Sequence, residues 1–314
     1  MSEQQKHCLL LGGLGFLGNN LCRALRNKYR ISIYARNQLM IERFKLDNSD
    51  IDVIKGDFSH ELDFARILDD VDVVFHLIST TKPSNLDMLY EFDSNVIPTM
   101  RFLESCKGRK IRLIFFSSGG TVYGIKTETP ISEDETTDPI SSYGIQKLTI
   151  EKCIEYYGRM YNLDYLIFRI ANPYGPCHIV NITQGVIPIF LSKILKHEVV
   201  EIWGDGKVIR DYIFVKDVIT ACQKGIDYHG TYRLFNVGTG KGYSLLEILH
   251  IMEGIVPNSL TVKFYPTRRQ DVPSNCLDSS RLQKEFNWKP EMDLESGIRY
   301  MASIWNEETL SFDE

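Results

Sequence analysis

Short apolar runs alternate with longer amphipathic stretches through the first half of the chain. The runs are nearly continuous in Val, Ile, Leu and Phe, which is typical of strands buried on both faces of a parallel sheet. They predict strands at His7–Leu11, Arg30–Ala35, Asp52–Lys55, Val71–Leu77, Arg112–Phe116 and Tyr165–Arg169. The stretches between them predict helices at Gly15–Asn27, His60–Leu68, Asp87–Cys106 and Ser141–Tyr161. This alternation predicts an α/β fold with a Rossmann-like, doubly wound parallel sheet.

The alternation ends after Asn172. Pro173–Lys207 contains a loop marked by Pro and Gly and a helical pattern at Val186–His197, and Thr231–Val237 predicts a strand that returns to the sheet. At 314 residues, the chain exceeds the ~250–300 residues at which single cores stop growing. We therefore predict a dinucleotide-binding domain and a smaller, mixed α/β C-terminal lobe for the substrate. The first covers 1–172 with returning segments at about 209–240, and the second covers 173–208 and 241–314.

Composition narrows the class of protein. The net charge of -5 provides no basic field for binding nucleic acid. No apolar run approaches the ~18–20 residues that span a bilayer, and the start MSEQQKH lacks a secretory signal pattern. Seven scattered cysteines without a CxxC pair predict neither a disulfide framework nor a metal site. We expect a cytoplasmic protein without a membrane or nucleic-acid partner.

A glycine-rich turn follows the first predicted strand and opens a helix. Gly12, Gly15 and Gly18 form a GxxGxxG pattern, with Phe16 and Leu17 at the start of the helix. Glycines permit a tight turn and a close backbone approach to a pyrophosphate, and the free amides of a helix start face the anion. A tight turn without a ligand is the alternative. The position between strand and helix favours dinucleotide binding.

The residues after the second strand bear on the choice of cofactor. Ala35 stands where an acid would accept the ribose hydroxyls of NAD, and Arg36 could pair with a 2′-phosphate, unless it is a solvated loop arginine. These residues favour NADP(H), with NAD(H) possible. Asp57 could accept from the adenine amine or cap the next helix. Phe58 and Leu77 are further candidate cofactor contacts.

The candidate catalytic pair lies at the start of a predicted helix. Tyr143 and Lys147 are four residues apart and therefore share one helix face. A nearby ammonium would lower the phenol pKa from its usual ~10. The phenol could then act as a general acid and base for an alcohol and its ketone at neutral pH. A surface pair is the alternative, which the preceding strands and the glycine turn disfavour.

Several motifs together resemble the extended short-chain dehydrogenase/reductase family, which includes nucleotide-sugar epimerases, dehydratases and ketoreductases. Besides the glycine turn and Tyr143/Lys147, the resemblance rests on further stretches across nearly the whole chain. They are Ser117-Ser118-Gly119-Gly120-Thr121-Val122-Tyr123-Gly124, Arg169-Ile170-Ala171-Asn172-Pro173-Tyr174-Gly175-Pro176, Trp203-Gly204-Asp205-Gly206 leading to Arg210-Asp211-Tyr212, Val215-Lys216-Asp217-Val218, and Phe235-Asn236-Val237-Gly238.

The resemblance implies a third catalytic hydroxyl, yet its usual position falls on Gly119. Ser118 is the first substitute and Thr121 the second. After the fourth strand, the segment His76-Leu77-Ile78-Ser79-Thr80-Thr81 brings extra hydroxyls toward the site, and Thr80 is a candidate substrate contact. We expect His76 to be a packed strand-end residue.

The resemblance also implies how a nucleotide-diphosphate sugar would be held. Asn172 would bind a diphosphate oxygen, and Arg210 and Arg268 would pair with the diphosphate. A surface salt bridge is the alternative for each arginine. The expected assembly is a homodimer.

Three functions compete on this pattern. The first is NADPH-dependent reduction of a nucleotide 4-keto-6-deoxyhexose at C4. The second is NAD-dependent 4-epimerisation of a UDP-glucose or UDP-N-acetylglucosamine type of substrate. The third is a non-enzymatic NADP sensor, which the intact catalytic pair disfavours. Gly119 and Gly120 disfavour a 4,6-dehydratase, which needs an acid and a base there. Ala35 and Arg36 narrowly favour the reductase.

Overall fold

The computed structural model describes residues 5–81, 84–176, 185–257, 260–267 and 272–310, with the backbone alone described from 306 to 310. This part of the chain forms two compact units. The first comprises the chain up to Gly124 with Thr137–Arg169 and Ile219–Phe235, and the second comprises Ile125–Thr136, Ile170–Val218 and the chain from Asn236 onward. Residues 125–136 and 209–218, which the sequence pattern grouped with the first domain, lie with the second unit.

Strands and helices alternate from the amino-terminal side. In order, they are β1 (His7–Leu11), α1 (Phe16–Leu25), β2 (Arg30–Ala35), α2 (Gln38–Asp47), β3 (Asp52–Lys55), a 3-10 turn (Ala65–Leu68), β4 (Val73–His76), α3 (Met88–Glu91), a π-helical turn (Phe92–Val96), α4 (Ile97–Cys106), β5 (Arg112–Ser118), α5 (Ser142–Tyr161) and β6 (Asp164–Ile170). The later elements are β7 (Asn172–Tyr174), α6 (Val186–Leu195), β8 (Val200–Trp203), β9 (Ile209–Phe214), α7 (Val215–Ile226), β10 (Leu234–Val237), β11 (Gly242–Ser244), α8 (Leu245–Ile255), β12 (Val262–Tyr265), β13 (Ser274–Asn275), α9 (Ser280–Phe286) and α10 (Leu294–Leu310).

A seven-stranded sheet with the order β10-β6-β5-β4-β1-β2-β3 confirms the predicted fold class. β1 pairs in parallel with both β2 and β4, and these pair in parallel with β3 and β5. The order reverses direction beside β1, which is the switch point where open α/β sheets bind ligands at the carboxyl ends of their strands. All five residues of β1 are buried, as expected for a strand covered on both faces.

The second unit has its own small sheets and core. β9 pairs in parallel with β7 and β13 and antiparallel with β11, and β8 pairs with β12. Ile187 and Leu191 of α6 pack in one apolar cluster with Ile248 of α8 and Ile298 of α10. This core supports β9, which carries the predicted substrate residue Arg210.

The predicted strands are confirmed, with β1, β2 and β3 at the predicted bounds and the others with shifted ends, while α2 was missed. Of the ten residues in α2, only Ile41 is buried, and the side chains of Leu39 and Leu46 are exposed. Such a helix carries no apolar stripe for a periodicity argument to detect. Its start is marked instead by Asn37, whose side chain accepts a hydrogen bond from the Met40 amide.

The helix predicted at His60–Leu68 is wrong, because only the 3-10 turn at its end forms. Local side chains take the backbone amides that a helix would use. The Glu61 carboxylate accepts from the Leu62 amide, and the Asp63 carboxylate accepts from the Ala65 amide over 2.8 Å. Short acidic side chains compete with helical hydrogen bonding in this way.

The single helix predicted at Asp87–Cys106 is interrupted by the π-helical turn. Pro98 follows at the start of α4 and has no amide to donate. The ladder therefore shifts register before it, and π turns of this kind often occur at functional sites. The buried Ser94 and Asn95 side chains of the turn hydrogen-bond to Thr80 in the loop after β4.

Among the described residues α5 is the longest helix, with 20 residues, and it carries charged side chains along its length, among them Lys147 and Glu151. Across the described ranges, no helix combines the length and the apolar character needed to cross a membrane.

Candidate active site

The chain turns sharply between β1 and α1. Gly12 has a φ of +84°, in the left-handed region that glycine adopts without steric cost. The Gly15 amide donates to the Gly12 carbonyl over 3.1 Å. A Cβ at Gly18 would lie 2.5 Å from the Cα of Gly13. Glycine is therefore required at 12 and 18 by the backbone of the turn itself.

Gly15 differs, because the protein's own packing leaves room for a side chain there. It is exposed, its φ of -74° suits any residue, and a Cβ would meet its nearest atom at 3.4 Å. It is the N-cap of α1 without a side-chain cap, and the first turn, which begins with Phe16 and Leu17, contains no acid. The uncapped backbone amides at this helix start, here called the anion cradle, fit the pyrophosphate of a dinucleotide.

The residues after β2 and β3 lie at the same edge of the sheet. Ala35 is half-buried and Arg36 is exposed. The Asp57 carboxylate accepts from the Ser59 amide over 3.1 Å, and its carbonyl accepts from the His60 amide. Asp57 thus caps a turn, the helix that it was expected to cap does not form, and its contact with adenine stays a prediction.

Phe58 and Leu77 take different positions. The Phe58 side chain is 4% exposed and its ring centroid lies 5.0 Å from that of Phe64, so this side chain belongs to the core. Leu77 is half-buried, and the next residue, Ile78, would lie 3.1 Å from a Cβ at Gly12. The end of β4 therefore borders the glycine turn, as a cofactor-binding role requires.

Tyr143 and Lys147 share one face of α5 as predicted. The helix begins after Ser141, whose hydroxyl accepts from the Gly144 amide over 3.1 Å, so Tyr143 lies in the first turn. Lys147 is buried, its Nζ donates to the carbonyl of Phe116 over 3.0 Å, and it lies 5.8 Å from the Tyr143 ring centroid. The pair is thus tied to the end of β5.

The pKa of the phenol departs from the prediction. Burial raises the pKa of Tyr143, the Ser79 side chain lowers it, and the Glu91 carboxylate raises it. The ammonium that was expected to lower it donates instead to a backbone carbonyl. Burial lowers the pKa of Lys147 to about 8, against the attraction of Glu151. The pKa of Tyr143 therefore lies above its ordinary value, and the depression expected from Lys147 is wrong.

The two candidates for the third hydroxyl lie in the turn after β5. Ser118 is half-buried, and the Thr121 amide donates to its carbonyl over 3.3 Å. Thr121 Oγ1 is buried and has no hydrogen-bond partner within the described part of the chain. A Cβ at Gly144 would lie 2.7 Å from the Thr121 carbonyl oxygen. The turn therefore packs closely on the first turn of α5, which contains Tyr143.

The loop after β4 is held by two helices. Thr80 Oγ1 lies 2.6 Å from Ser94 Oγ and accepts from Asn95 Nδ2 over 2.8 Å. The Gln146 amide group on α5 donates to Thr81 Oγ1 over 2.8 Å. The Thr80 hydroxyl therefore bonds to the π-helical turn, and its predicted role as a substrate contact stays a prediction.

His76 is a packed residue, as expected. It is buried, its Nε2 lies 2.9 Å from Thr99 Oγ1, and burial lowers its pKa to about 3. The ring is therefore neutral and places no second positive charge near Lys147.

The sequence did not predict a buried ion pair between Arg169 and Glu151, which lies one helical turn from Lys147. Arg169 Nη2 lies 2.6 Å from Glu151 Oε2, and Ser117 donates to Glu151 Oε1 over 2.5 Å. Glu151 follows Lys147 by four residues, so it continues the same helix face. That spacing was the available signal. The pair joins α5 to β5 and β6 and places a negative charge one turn from Lys147.

The predicted substrate residues of the second unit lie on β7 and β9. Asn172 Nδ2 donates to the carbonyl of Asp211 over 2.9 Å, and Arg210 Nη1 donates to the carbonyl of Val272 over 2.6 Å. The buried Asp211 carboxylate accepts from backbone amides of the 239–240 loop, which fixes β9 beside Arg210. Arg268 lies outside the described residues.

The cysteines and acids do not form a metal cluster in the part of the chain that the structure describes, where no group of three or more His, Cys, Asp or Glu side chains could hold an ion. The described cysteines are free thiols, and burial raises the pKa of Cys106 to about 12. These thiols therefore pack as small apolar groups.

Comparisons with known proteins agree with this geometry. Residues 8–238 match the model of the NAD dependent epimerase/dehydratase family. A UDP-glucose 4-epimerase of Mycolicibacterium smegmatis is 32% identical over 92% of this chain and 95% of the relative. A dTDP-4-dehydro-6-deoxyglucose reductase of Escherichia coli is 32% identical over 73% of each chain. The crystal structure of a Thermotoga maritima UDP-glucose 4-epimerase with UDP-glucose superposes with a TM-score of 0.88 at 28% identity, covering 96% of this chain and 99% of that one.

These relatives confirm the resemblance that the motifs carried. The family match covers more than two thirds of the chain and includes the glycine turn, the Tyr143/Lys147 pair and the strand that carries Arg210. With the pair on one face of α5 and the open cradle at Gly15, the chain is an enzyme of the NAD-dependent epimerase/dehydratase family.

Proposed function

We propose that this protein is an NAD-dependent 4-epimerase of UDP-hexoses. The observation that carries the proposal is the likeness to UDP-glucose 4-epimerases over nearly the full length of both chains. That likeness extends through the second unit, which carries Asn172 and Arg210. It favours the epimerase over the NADPH-dependent 4-ketoreductase that Ala35 and Arg36 narrowly favoured.

The chemistry assigned to the chain is proton transfer at the sugar C4 oxygen. A nicotinamide cofactor held at the glycine turn would supply the hydride acceptor and donor. Tyr143 accepts the proton of the C4 hydroxyl as the alcohol becomes a ketone, and it returns a proton when the ketone is reduced on its other face. Lys147, whose Nζ donates to the Phe116 carbonyl, is a candidate contact to the cofactor. The enzyme therefore ends each cycle in its starting protonation state.

The substrate is proposed to be held through its diphosphate. Arg210 offers a planar guanidinium and Asn172 an amide, both on strands supported by the core of the second unit. We expect Arg210→Ala to raise KM for the nucleotide sugar by about tenfold or more, since a charge-assisted hydrogen bond contributes about 1.5–3 kcal/mol. Retention of NAD should not change.

The matched control for this prediction is Lys207→Ala, which removes an exposed cation near the start of β9. Steady-state kinetics of both variants give the comparison. An unchanged KM in Arg210→Ala, or equal effects of the two variants, would remove Arg210 from the proposed substrate site.

The end of β2 sets the proposed cofactor preference. Family membership indicates NAD, whereas the exposed Arg36 could still pair with a 2′-phosphate. Ala35→Asp adds an acceptor for the ribose hydroxyls and repels that phosphate. We expect it to move the ratio of NADP(H) to NAD(H) affinity toward NAD(H) by about ten- to hundredfold. Titration of both cofactors with Arg36→Gln as comparison measures this. An unchanged affinity ratio in both variants would show that Ala35 and Arg36 do not contact the 2′-phosphate of NADP(H).

A second candidate function is the 4-ketoreductase. Similarity to the dTDP-4-dehydro-6-deoxyglucose reductase, together with Ala35 and Arg36, favours it. A reductase consumes one reduced cofactor in each turnover, so its cofactor must exchange. An epimerase returns the hydride that it removed, so its cofactor can stay bound.

One experiment separates the two functions. The purified protein is denatured to identify any nucleotide it retains, and it is then assayed with UDP-hexoses without added cofactor and with 4-keto-6-deoxy nucleotide sugars plus NADPH. Retained NAD and interconversion of UDP-hexoses at C4 are expected. Stoichiometric NADPH oxidation with the keto sugars, without UDP-hexose interconversion, would replace the epimerase by the reductase.

The assembly is proposed to be a homodimer in the cytoplasm. The neighbouring helices α4 and α5, joined by a hydrogen bond from Tyr157 to Glu104, expose Met100, Tyr156 and Met160 with 41–58% of their surface open. A second copy would cover these apolar side chains. Light scattering at a monomer mass would contradict this assembly. The buried free thiols suit a reducing compartment.

A further inference from the structure

A buried carboxylate on α5 binds both of the sheet strands that lie beneath the candidate catalytic lysine. Glu151 is fully buried. Arg169 on β6 contacts both of its oxygens, with Nη2 2.6 Å from Oε2 and Nε 3.1 Å from Oε1. The Ser117 hydroxyl on β5 donates to Oε1 over 2.5 Å. Glu151 therefore fixes α5 to two neighbouring strands of the sheet.

The same end of β5 holds Lys147. Ser117 directly follows Phe116, whose carbonyl accepts from Lys147 Nζ over 3.0 Å. Lys147 and Glu151 are four residues apart, so they share one face of α5. The strand is thus bound to the helix at two successive residues, by Phe116 to Lys147 and by Ser117 to Glu151. A displaced Glu151 would therefore displace the carbonyl that orients the ammonium.

The charge of Glu151 has a second effect on Lys147. Lys147 is 3% exposed, and burial lowers its pKa to about 8, whereas the Glu151 carboxylate raises it. Arg169 is equally buried, and a guanidinium stays charged at any working pH. Without the Glu151 charge, two buried cations would remain unbalanced, and each would disfavour the charge of the other.

The other ionisable groups around Lys147 do not replace this carboxylate. His76 on β4 is neutral, because burial lowers its pKa to about 3. Tyr143, one turn before Lys147, is held neutral because burial raises its pKa. Burial also raises the pKa of Glu91 on α3, and its charge acts on Tyr143. Among the described residues, Glu151 is therefore the carboxylate that favours the charged form of Lys147.

We propose that Glu151 is a positioning residue, which keeps the Lys147 ammonium charged and fixed to the end of β5 through its contacts with Ser117 and Arg169. An ammonium has three N–H donors, and the Phe116 carbonyl takes one of them. The contact of Lys147 with a cofactor would use the others. That use of the donors rests on the proposed function, whereas the charge of Lys147 can be measured without it.

The test is the pH dependence of the unfolding free energy, measured on the full chain as purified and without substrate. Lys147 has a pKa of about 8 in the folded protein and of ~10.4 in an unfolded chain. Between these values the unfolded chain binds more protons, so the contribution of Lys147 to stability rises with pH through this range. Comparison of each protein with its own Lys147→Met derivative isolates that rise.

In Glu151→Gln, the rise should begin about one to two pH units lower, as expected for the loss of one charge a helical turn away. Glu151→Asp keeps the charge and should restore the starting pH. The control is Glu155→Gln, which removes a half-buried carboxylate paired with Lys152 one turn further along α5, and it should change nothing. A rise at the original pH in Glu151→Gln, or an equal displacement in Glu151→Asp, would overturn the proposal.

A second variant covers the case in which the broken ion pair prevents folding, since removing one partner of a buried pair is strongly destabilising. Combining Glu151→Gln with Arg169→Gln removes both charges and leaves no unpaired ion. The rise should still begin below the original pH, though by less than in the single variant, because Arg169 no longer opposes the charge of Lys147. An unchanged starting pH in the folded double variant would equally overturn the proposal.

Turnover separates this role from the proposed function. If the Lys147 ammonium serves the reaction, the alkaline limit of kcat in Glu151→Gln should move down by the same interval as the unfolding curve, with activity recovering as pH falls. A displaced unfolding curve with an unmoved kcat limit would support the role of Glu151 and count against the use of Lys147 in the proposed reaction.

Discussion

Replacing Tyr143 by phenylalanine is expected to lower kcat by about 10²–10⁴-fold, the usual contribution of a positioned acid and base. The phenol is the proposed proton acceptor for the substrate hydroxyl, and the variant removes a single oxygen. The ring remains in the first turn of α5, so the packing of the helix should persist. Cofactor content should also persist, because the glycine turn is untouched.

The control for this result is Tyr156→Phe, which removes a phenol from an exposed position on the same helix. Initial rates of sugar interconversion and the melting temperature are measured for both variants. Turnover in a folded Tyr143→Phe protein within about threefold of the original would remove Tyr143 from its catalytic role.

Replacing Gly15 by aspartate should separate stability from cofactor binding. Gly15 is the N-cap of α1, its backbone conformation suits any residue, and a Cβ there meets its nearest atom at 3.4 Å. Aspartate is a better N-cap than glycine by a few tenths of a kcal/mol. The same carboxylate would occupy the anion cradle and repel a pyrophosphate by about 2–4 kcal/mol. We expect an equal or higher melting temperature and a loss of about 30- to 1,000-fold in NAD affinity.

The matched control is Gly15→Asn, which offers a similar cap without the charge. Retained cofactor in both variants is measured after denaturation, together with thermal unfolding. If Gly15→Asp retained cofactor as the original protein does, the pyrophosphate would not lie at the start of α1. If both variants lost it equally, bulk at this position would be the cause and charge would not.

Local patterns in the sequence were sufficient to predict the strands, turns and helices that carry the candidate site residues. The five apolar residues of β1, followed by glycines at 12 and 18, predict a strand, a tight turn and a helix. Each of these depends on residues only a few positions apart. The four-residue spacing of Tyr143 and Lys147 places them on one helix face wherever that helix packs. The fold class followed from the same alternation of strands and helices.

Contacts between residues far apart in the chain could not be predicted from local sequence patterns. Thr80 contacts Asn95 across 15 positions, and Thr81 contacts Gln146 across 65. The sequence identified the hydroxyls of this loop without indicating which helix each of them contacts. The π-helical turn that holds Thr80 depends on the packing of the segment before Pro98, and its helical spacing alone predicted an unbroken helix.

By itself, the sequence determined which chemical groups this enzyme has and which of them share a strand, a turn or a helix face, because those relations are set by backbone periodicity. The tertiary structure alone decided their electrostatic state. The Lys147 ammonium donates to a backbone carbonyl, and Glu91 is buried near the phenol. The spacing of Tyr143 and Lys147 predicted a lowered pKa for the phenol, whereas burial raises it. The physical reason is that desolvation and charge interactions depend on every group within several ångströms, and only the folded chain brings those groups together.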